Sequence, residues 1–263
     1  MRSIFNLTIA LTLFSCGKIS DKNFKLFGHA GMGLDMTNSI YHDNTKEAIE
    51  LCLSIPGSNG VEVDVQMDSQ GSLWLYHDEL LNNNTTLNGC INEKTTIELQ
   101  DANYKTLKEE KLVELSQIIS ILGKDQTLFL DLKIRNSCSD DQVNFDLFLT
   151  SLIQTLGSDA NNIMIIASDS IWLKELASYF PVLYSSDNFE EAYDLLGANN
   201  LFRGLVIRNK AINKSQITSL RKINKEVYLF DIRSPKGNRN AMLKNPTGII
   251  TDDIRAALIE RSK

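Results

Sequence analysis

From Phe24 onward, short apolar runs alternate with longer helical stretches about eight times, and no long Pro, Gly or Ser linker interrupts them. This alternation restricts the fold more than any other feature, because repeated strand–helix units close into parallel sheets covered by helices. Strand patterns fall at 25–28, in a hairpin-like stretch at 60–78, and at 127–134, 162–167, 182–185, 204–208, 227–232 and 248–251. Helical patterns fall at 44–53, 113–122, 145–156, 172–179, 190–196, 215–223 and 241–243, with another at the C-terminus. Thr95 to Glu98 has the form of a capping box before a further short helix. About eight such units predict an α/β chain folded as a single-domain (β/α)8 TIM barrel.

The stretch 60–78, GVEVDVQMDSQGSLWLYHD, carries the chemistry. Successive strand side chains point to opposite faces, so Glu62 and Asp64 share one face and Val61, Val63 and Val65 the other. The same rule places Phe129, Asp131 and Lys133 on one face of the 127–134 strand. A half-exposed strand whose polar face meets water is the plain alternative. The barrel context favours function, because carboxylates would be costly within the packed interior but not at strand C-terminal ends, where barrel enzymes keep their chemistry. The chain has three histidines, His29, His42 and His77; His29 and His77 both fall at strand ends. Paired imidazoles beside carboxylates suit acid–base chemistry next to a divalent metal. Trp74 and Tyr76 read as packing residues.

The first residues read as an export signal: Arg2 precedes the apolar run 4–14, which is too short to span a bilayer as a mature helix. Leu13-Phe14-Ser15-Cys16 resembles a bacterial lipobox, which implies cleavage before Cys16 and lipidation of its thiol. The implied organisation is a lipoprotein signal peptide at 1–15, a lipidated N-terminus and linker at 16–23, and the barrel at 24–263. The chain would then be lipid-anchored in a bacterial cell envelope, periplasmic or surface-facing. Net charge is −6 with no dense basic run, which argues against a nucleic-acid partner but leaves a small phosphate ester admissible. Cys52, Cys90 and Cys138 match no zinc spacing; a single Cys90–Cys138 pair is conceivable in an exported protein.

Five segments in order, GHAG, NTKEAI, GVEVDVQMDSQGSLWLYHDELL, LFLDLK and GIITDD, resemble the glycerophosphodiester phosphodiesterase family from about Lys25 to Arg255. The resemblance implies a TIM barrel that hydrolyses phosphodiesters of glycerol with Ca²⁺ or Mg²⁺. It implies Glu62, Asp64 and Asp131 as metal ligands, His29 and His77 as the acid–base pair, and Lys133 facing the phosphate. The substrate would be a small glycerophosphodiester or a lipid head group. An all-carboxylate site agrees with a hard cation.

Three positions depart from the family pattern. Ala30 stands where the family has an arginine near the phosphate, Asp43 stands where a glutamate is common, and Asp131 replaces a glutamate. Lys133, Arg135, Arg208 and His42 are candidates for the missing cation. Asp231 and Arg233 can touch the glycerol or head group, or form a surface salt bridge. The loop 82–92 is short, so an open pocket is expected. Two other functional readings stay open: phospholipase- or lyase-like cleavage giving a cyclic phosphate, and a catalytically inactive barrel that binds a phosphorylated ligand.

Overall fold

The computed structural model describes residues 24–34, 39–135, 138, 143–157 and 162–263. The expected signal peptide at 1–15, Cys16 and the linker 16–23 lie outside the described residues. The strands are β1 (Lys25–His29), β2 (Gly60–Met67), β3 (Leu73–Leu75), β4 (Val113–Glu114), β5 (Thr127–Leu132), β6 (Ile163–Ala167), β7 (Val182–Ser185), β8 (Phe202–Arg208), β9 (Glu226–Phe230) and β10 (Gly248–Thr251). Eight of them pair in parallel around a ring, β1-β2-β5-β6-β7-β8-β9-β10, and Lys25 beside Gly248 closes it. The helices are α1 (Lys46–Ser54), α2 (Thr96–Asp101), α3 (Leu115–Ile119), α4 (Phe145–Leu156), α5 (Ser170–Leu176), α6 (Phe189–Ala198), α7 (Lys214–Lys222), α8 (Pro235–Leu243) and α9 (Ile254–Ser262). The chain is therefore the single-domain TIM barrel that the alternation predicts.

Strand alternation sorts the core into two layers. Val61, Val63 and Val65 of β2 and Leu128, Leu130 and Leu132 of β5 face outward under the helices. Phe27, Phe129 and Tyr228 face inward with ring centroids 4.5, 5.0 and 5.9 Å apart, and together with Ile166, Leu183 and Val206 they fill the barrel. Burying each such ring stabilises the fold by about 1.5–3 kcal/mol. Gly60 is fixed by space: a Cβ there would lie 1.8 Å from the Thr127 carbonyl oxygen.

One strand exceeds the barrel. β2 pairs with β1 only through Val61 and Glu62, then continues and pairs antiparallel with β3 from Val65 to Met67. Glu62 and Asp64 consequently sit within β2, not at its C-terminal end as expected, and the strand goes on past the rim. The segment from β3 to β4 adds a small core of its own, in which Trp74, Tyr76, Leu81, Ile91, Leu99 and Tyr104 are buried. Trp74 and Tyr76 thus pack as the sequence suggests, while the loop 82–92 belongs to a packed insertion beside the mouth.

The helix caps explain several boundaries. Thr95 accepts from the Glu98 amide at the start of α2, with Glu98 answering in the expected capping box. Two expected helices shift. Residues 113–114 pair with β3 before α3 begins, because Val113 finds a strand edge to join. The helix expected at 241–243 begins at Pro235, where Ser234 caps it and a proline in the first turn costs no hydrogen bond. Gly237 and the asparagines of PKGNRN mask that helix in the sequence.

Cys90 and Cys138 form a disulfide across a sequence separation of 48 residues, which ties the insertion to the segment following β5. Loop-closure entropy for such a cross-link is about 4 kcal/mol. The Cys90→Ser/Cys138→Ser double variant should lose about 2–4 kcal/mol of unfolding free energy in urea denaturation. An unchanged urea midpoint would remove the disulfide from the account of stability.

Candidate active site

Strand register assembles the site. His29 ends β1 and lies beside Glu62 of β2, while Asp64 of β2 lies beside Asp131 of β5. All four side chains alternate to the inner face above the aromatic plug. Glu62, Asp64 and Asp131 each offer an oxygen within 4.8 Å of the others. Lys133 Nζ bridges two of them, 2.8 Å from Asp64 Oδ1 and 2.7 Å from Asp131 Oδ2. The register of β10 against β1, Thr251 beside Gly28, brings Asp252 to His29, with Oδ1 2.5 Å from Nδ1. His29 Nε2 is 3.8 Å from Glu62 Oε2.

His77 comes from the segment after β3. Its Nδ1 is 2.9 Å from Asp78 Oδ1, and Asn84 donates to the other Asp78 oxygen at 2.6 Å. The buried Gln66 side chain donates to the carbonyls of Tyr76 and Asp78 and so fixes the backbone on both sides of His77. Each imidazole thus has a carboxylate on Nδ1, which leaves Nε2 as the atom available for proton transfer.

The loop after β1 acts as a clamp. Ala30 and Asn44 both hold left-handed backbones, with φ of 48° and 54°. The Ala30 amide donates to Glu62 Oε2 at 3.1 Å. Asn44, fully buried, donates to Asp64 Oδ2 at 2.8 Å and accepts from the Asp64 amide at 3.0 Å.

Electrostatics follow from this crowding. Burial pushes the Glu62 carboxyl up to about 8, and the Asp64 charge adds to the push. Asp64 itself stays below the usual carboxylate range; burial opposes its charge, but Lys133, His77 and the Asn44 hydrogen bond together overcome it. His29 is raised to about 9: burial disfavours its charge, and the Asp252 hydrogen bond with the surrounding carboxylates overcomes that. The Asp78 hydrogen bond raises His77. With all three ionised, Glu62, Asp64 and Asp131 carry three negative charges against one positive on Lys133, a balance of 1 − 3 = −2, while Asp252 pairs with His29 and Arg233. A divalent cation matches that deficit and the all-oxygen donor set, so the residues fit such an ion.

His29, Glu62, Asp64, His77, Asp131 and Lys133 line one cavity of about 690 Å³ at the barrel mouth. Arg135, Arg208 and Arg233 line it too, and His42 does not. His42 stacks on Tyr104 at 4.0 Å and pairs with Asp43, which removes it as a replacement for the missing arginine. Asp252, Asn44 and Gln66 are the residues that sequence reasoning missed. The second Asp of GIITDD and the Asn before Thr45 were visible signals, whereas Gln66 gave none.

A TIM barrel with an acidic trio and two carboxylate-oriented histidines in its mouth has the make-up of a phosphoric diester hydrolase. The chain belongs to the glycerophosphoryl diester phosphodiesterase family, whose model matches residues 29–256. A glycerophosphodiester phosphodiesterase of Bacillus altitudinis is 30% identical over 118 residues, which cover 43% of this chain and 46% of that protein. The chain therefore matches about half the length of that curated relative. The fold resembles the crystal structure of a glycerophosphodiester phosphodiesterase from Thermotoga maritima, with a TM-score of 0.72 and 20% identity over 91% of this chain and 98% of the other. It also resembles an Oleispira antarctica phosphodiesterase in complex with the product sn-glycerol-3-phosphate, with a TM-score of 0.74 and 15% identity over 91% and 97% of the two chains.

The charge balance gives a test without turnover. In the metal-free protein the folded state holds more protons than the unfolded chain, on Glu62 between pH 4.5 and about 8 and on His29 between 6.5 and about 9. Stability should therefore fall as pH rises through these windows. Added Ca²⁺ or Mg²⁺ should raise the melting temperature more at pH 8 than at pH 5, and Glu62→Gln should weaken that gain. A pH-independent response to the ions would contradict the assignment.

Proposed function

We propose that this protein hydrolyses glycerophosphodiesters to glycerol 3-phosphate and an alcohol. The observation that carries the reading is the pair of carboxylate-oriented histidines in one cavity with the acidic trio. Glu62, Asp64 and Asp131 would hold Ca²⁺ or Mg²⁺, which when bound supplies charge neutralisation at the phosphoryl oxygens. Asp252 keeps the His29 Nδ1 proton in place and stabilises the imidazolium, so His29 acts first as the acid, giving its Nε2 proton to the leaving alcohol. His77, oriented by Asp78, takes the proton from the attacking glycerol hydroxyl, whose new P–O bond closes a cyclic phosphate as the bond to the alcohol breaks. Water then opens that ring to glycerol 3-phosphate, with the two imidazoles exchanging roles. Lys133 holds Asp64 and Asp131 in position and presents a positive charge on the phosphate side of the cavity. A binding-only barrel has no use for two oriented imidazoles.

The lipid anchor belongs to the same proposal. From Cys16 to Phe24 the chain has 24 − 16 = 8 residue steps, a reach of at most about 28 Å. Phe24 enters β1 at the end of the barrel opposite the mouth, so a lipid on Cys16 would tether the barrel by that end. In cells fed a labelled fatty acid, the protein should carry label and lose it in Cys16→Ser; unlabelled wild-type protein would refute the anchor.

Activity is tested by release of glycerol 3-phosphate from glycerophosphoethanolamine with Ca²⁺, Mg²⁺ or EDTA. Activity should require metal and fall about 10²–10⁴-fold in His29→Ala and in His77→Ala, with Glu62→Ala losing metal response. A cyclic phosphate as the sole product, followed by phosphorus NMR, would replace hydrolysis with lyase chemistry. Binding of metal and ester with no turnover would leave a binding barrel.

A further inference from the structure

The cavity extends well beyond the acidic trio, and its far wall is built from the ends of β6 to β9. Two arginines there share one carboxylate. Arg208 Nη1 lies 3.2 Å from Asp231 Oδ2, and Arg233 Nε lies 3.3 Å from Asp231 Oδ1. Asp187 holds Arg208 from the other side, Oδ2 to Nε at 2.9 Å. Asp231 follows β9 with a left-handed backbone, φ 60°, which Asp adopts more readily than most residues. Arg208 is hydrogen-bonded on two sides, Arg233 Nε also lies 3.5 Å from Asp252 Oδ2, and Arg208 Nη2 and both terminal nitrogens of Arg233 have no partners among the described residues.

The charges around this end of the cavity balance once Arg135, from the segment after β5, is counted with the wall. Arg135, Arg208 and Arg233 oppose Asp187, Glu191 and Asp231, which gives 3 − 3 = 0. An anionic alcohol would call for surplus cations. A quaternary ammonium would call for open aromatic faces, yet the Phe230 ring carries the Arg208 guanidinium at 4.9 Å, a like charge where choline would sit. Donors interleaved with acceptors, with the Ser168 and Ser185 hydroxyls close by, match a neutral ligand rich in hydroxyls, each of which both donates and accepts.

We propose that the Arg208–Asp231–Arg233 wall is a subsite for a neutral polyol as the alcohol of the phosphodiester. This rests on the phosphodiesterase reading above and specifies its substrate class. Such paired donors and acceptors favour an alcohol whose groups both donate and accept over one whose groups do neither.

The test uses glycerophosphoinositol, glycerophosphoglycerol and glycerophosphocholine, which share the glycerol arm and differ only in the other alcohol. Both kcat/KM for glycerol 3-phosphate release and Kd by calorimetry are measured on the purified protein with Ca²⁺ and without metal. The polyol esters should exceed the choline ester at least tenfold in both quantities, and Arg208→Gln or Asp231→Asn should bring the ratio toward one. Equal values for the three esters, or a preference for choline, would overturn the subsite. If none is turned over but the tenfold preference in Kd persists and collapses in the variants, the subsite stands and hydrolysis fails. If none is turned over and Kd shows no preference, both fail.

Discussion

Lys133 sits between Asp64 and Asp131 at 2.8 and 2.7 Å, and the rest of the mouth is arranged around that bridge. Asp64 is almost fully enclosed, and an enclosed carboxylate without a partner costs about 3–5 kcal/mol. Lys133 provides the charge, and Asn44 provides hydrogen bonds on the opposite side. The bridge joins β2 to β5 at the point where the barrel opens. Below it Phe27, Phe129 and Tyr228 are buried, so a concentrated set of charges rests on an apolar floor.

That floor gives the carboxylates their properties. A carboxyl between Asp64 and an apolar barrel prefers a proton or a cation, as the elevated Glu62 shows. His29 is drawn into the same field and answers with a raised pKa, held by Asp252. His77 stands further out, on a segment steadied by Gln66 and by the small core of the insertion. One imidazole is therefore set by the barrel and the other by the insertion. The overrun of β2 past the rim, paired with β3, is the link between them.

The loss of the family's arginine at position 30 acquires a structural setting. Ala30 contributes only a backbone amide, donated to Glu62. Two of the candidate cations are engaged elsewhere: His42 is committed to Tyr104 and Asp43, and Lys133 to two acids. Positive charge is displaced to the far side of the cavity, where Arg208 and Arg233 share Asp231. The candidate site is thus polar at both ends, with an acidic pole at β1, β2 and β5 and a pole of mixed charge at β7 to β9.

The sequence by itself determined the barrel, the inward faces of β2 and β5, and most of the helix and strand positions, because strand alternation and helical periodicity are local properties of side-chain order. The order of Glu62, Asp64, His77, Asp131 and Lys133 along the chain was legible for the same reason. Asp252 was not, since its closeness to His29 depends on β10 closing against β1 across a separation of 223 residues. The buried role of Gln66, the Asn44 clamp and the continuation of β2 beyond the rim depend on partners brought by the insertion and by the loop after β1. Which arginine meets which aspartate at the far wall was likewise settled only by the tertiary fold. Register between distant strands fixes such pairs, and register is decided by packing of the whole ring.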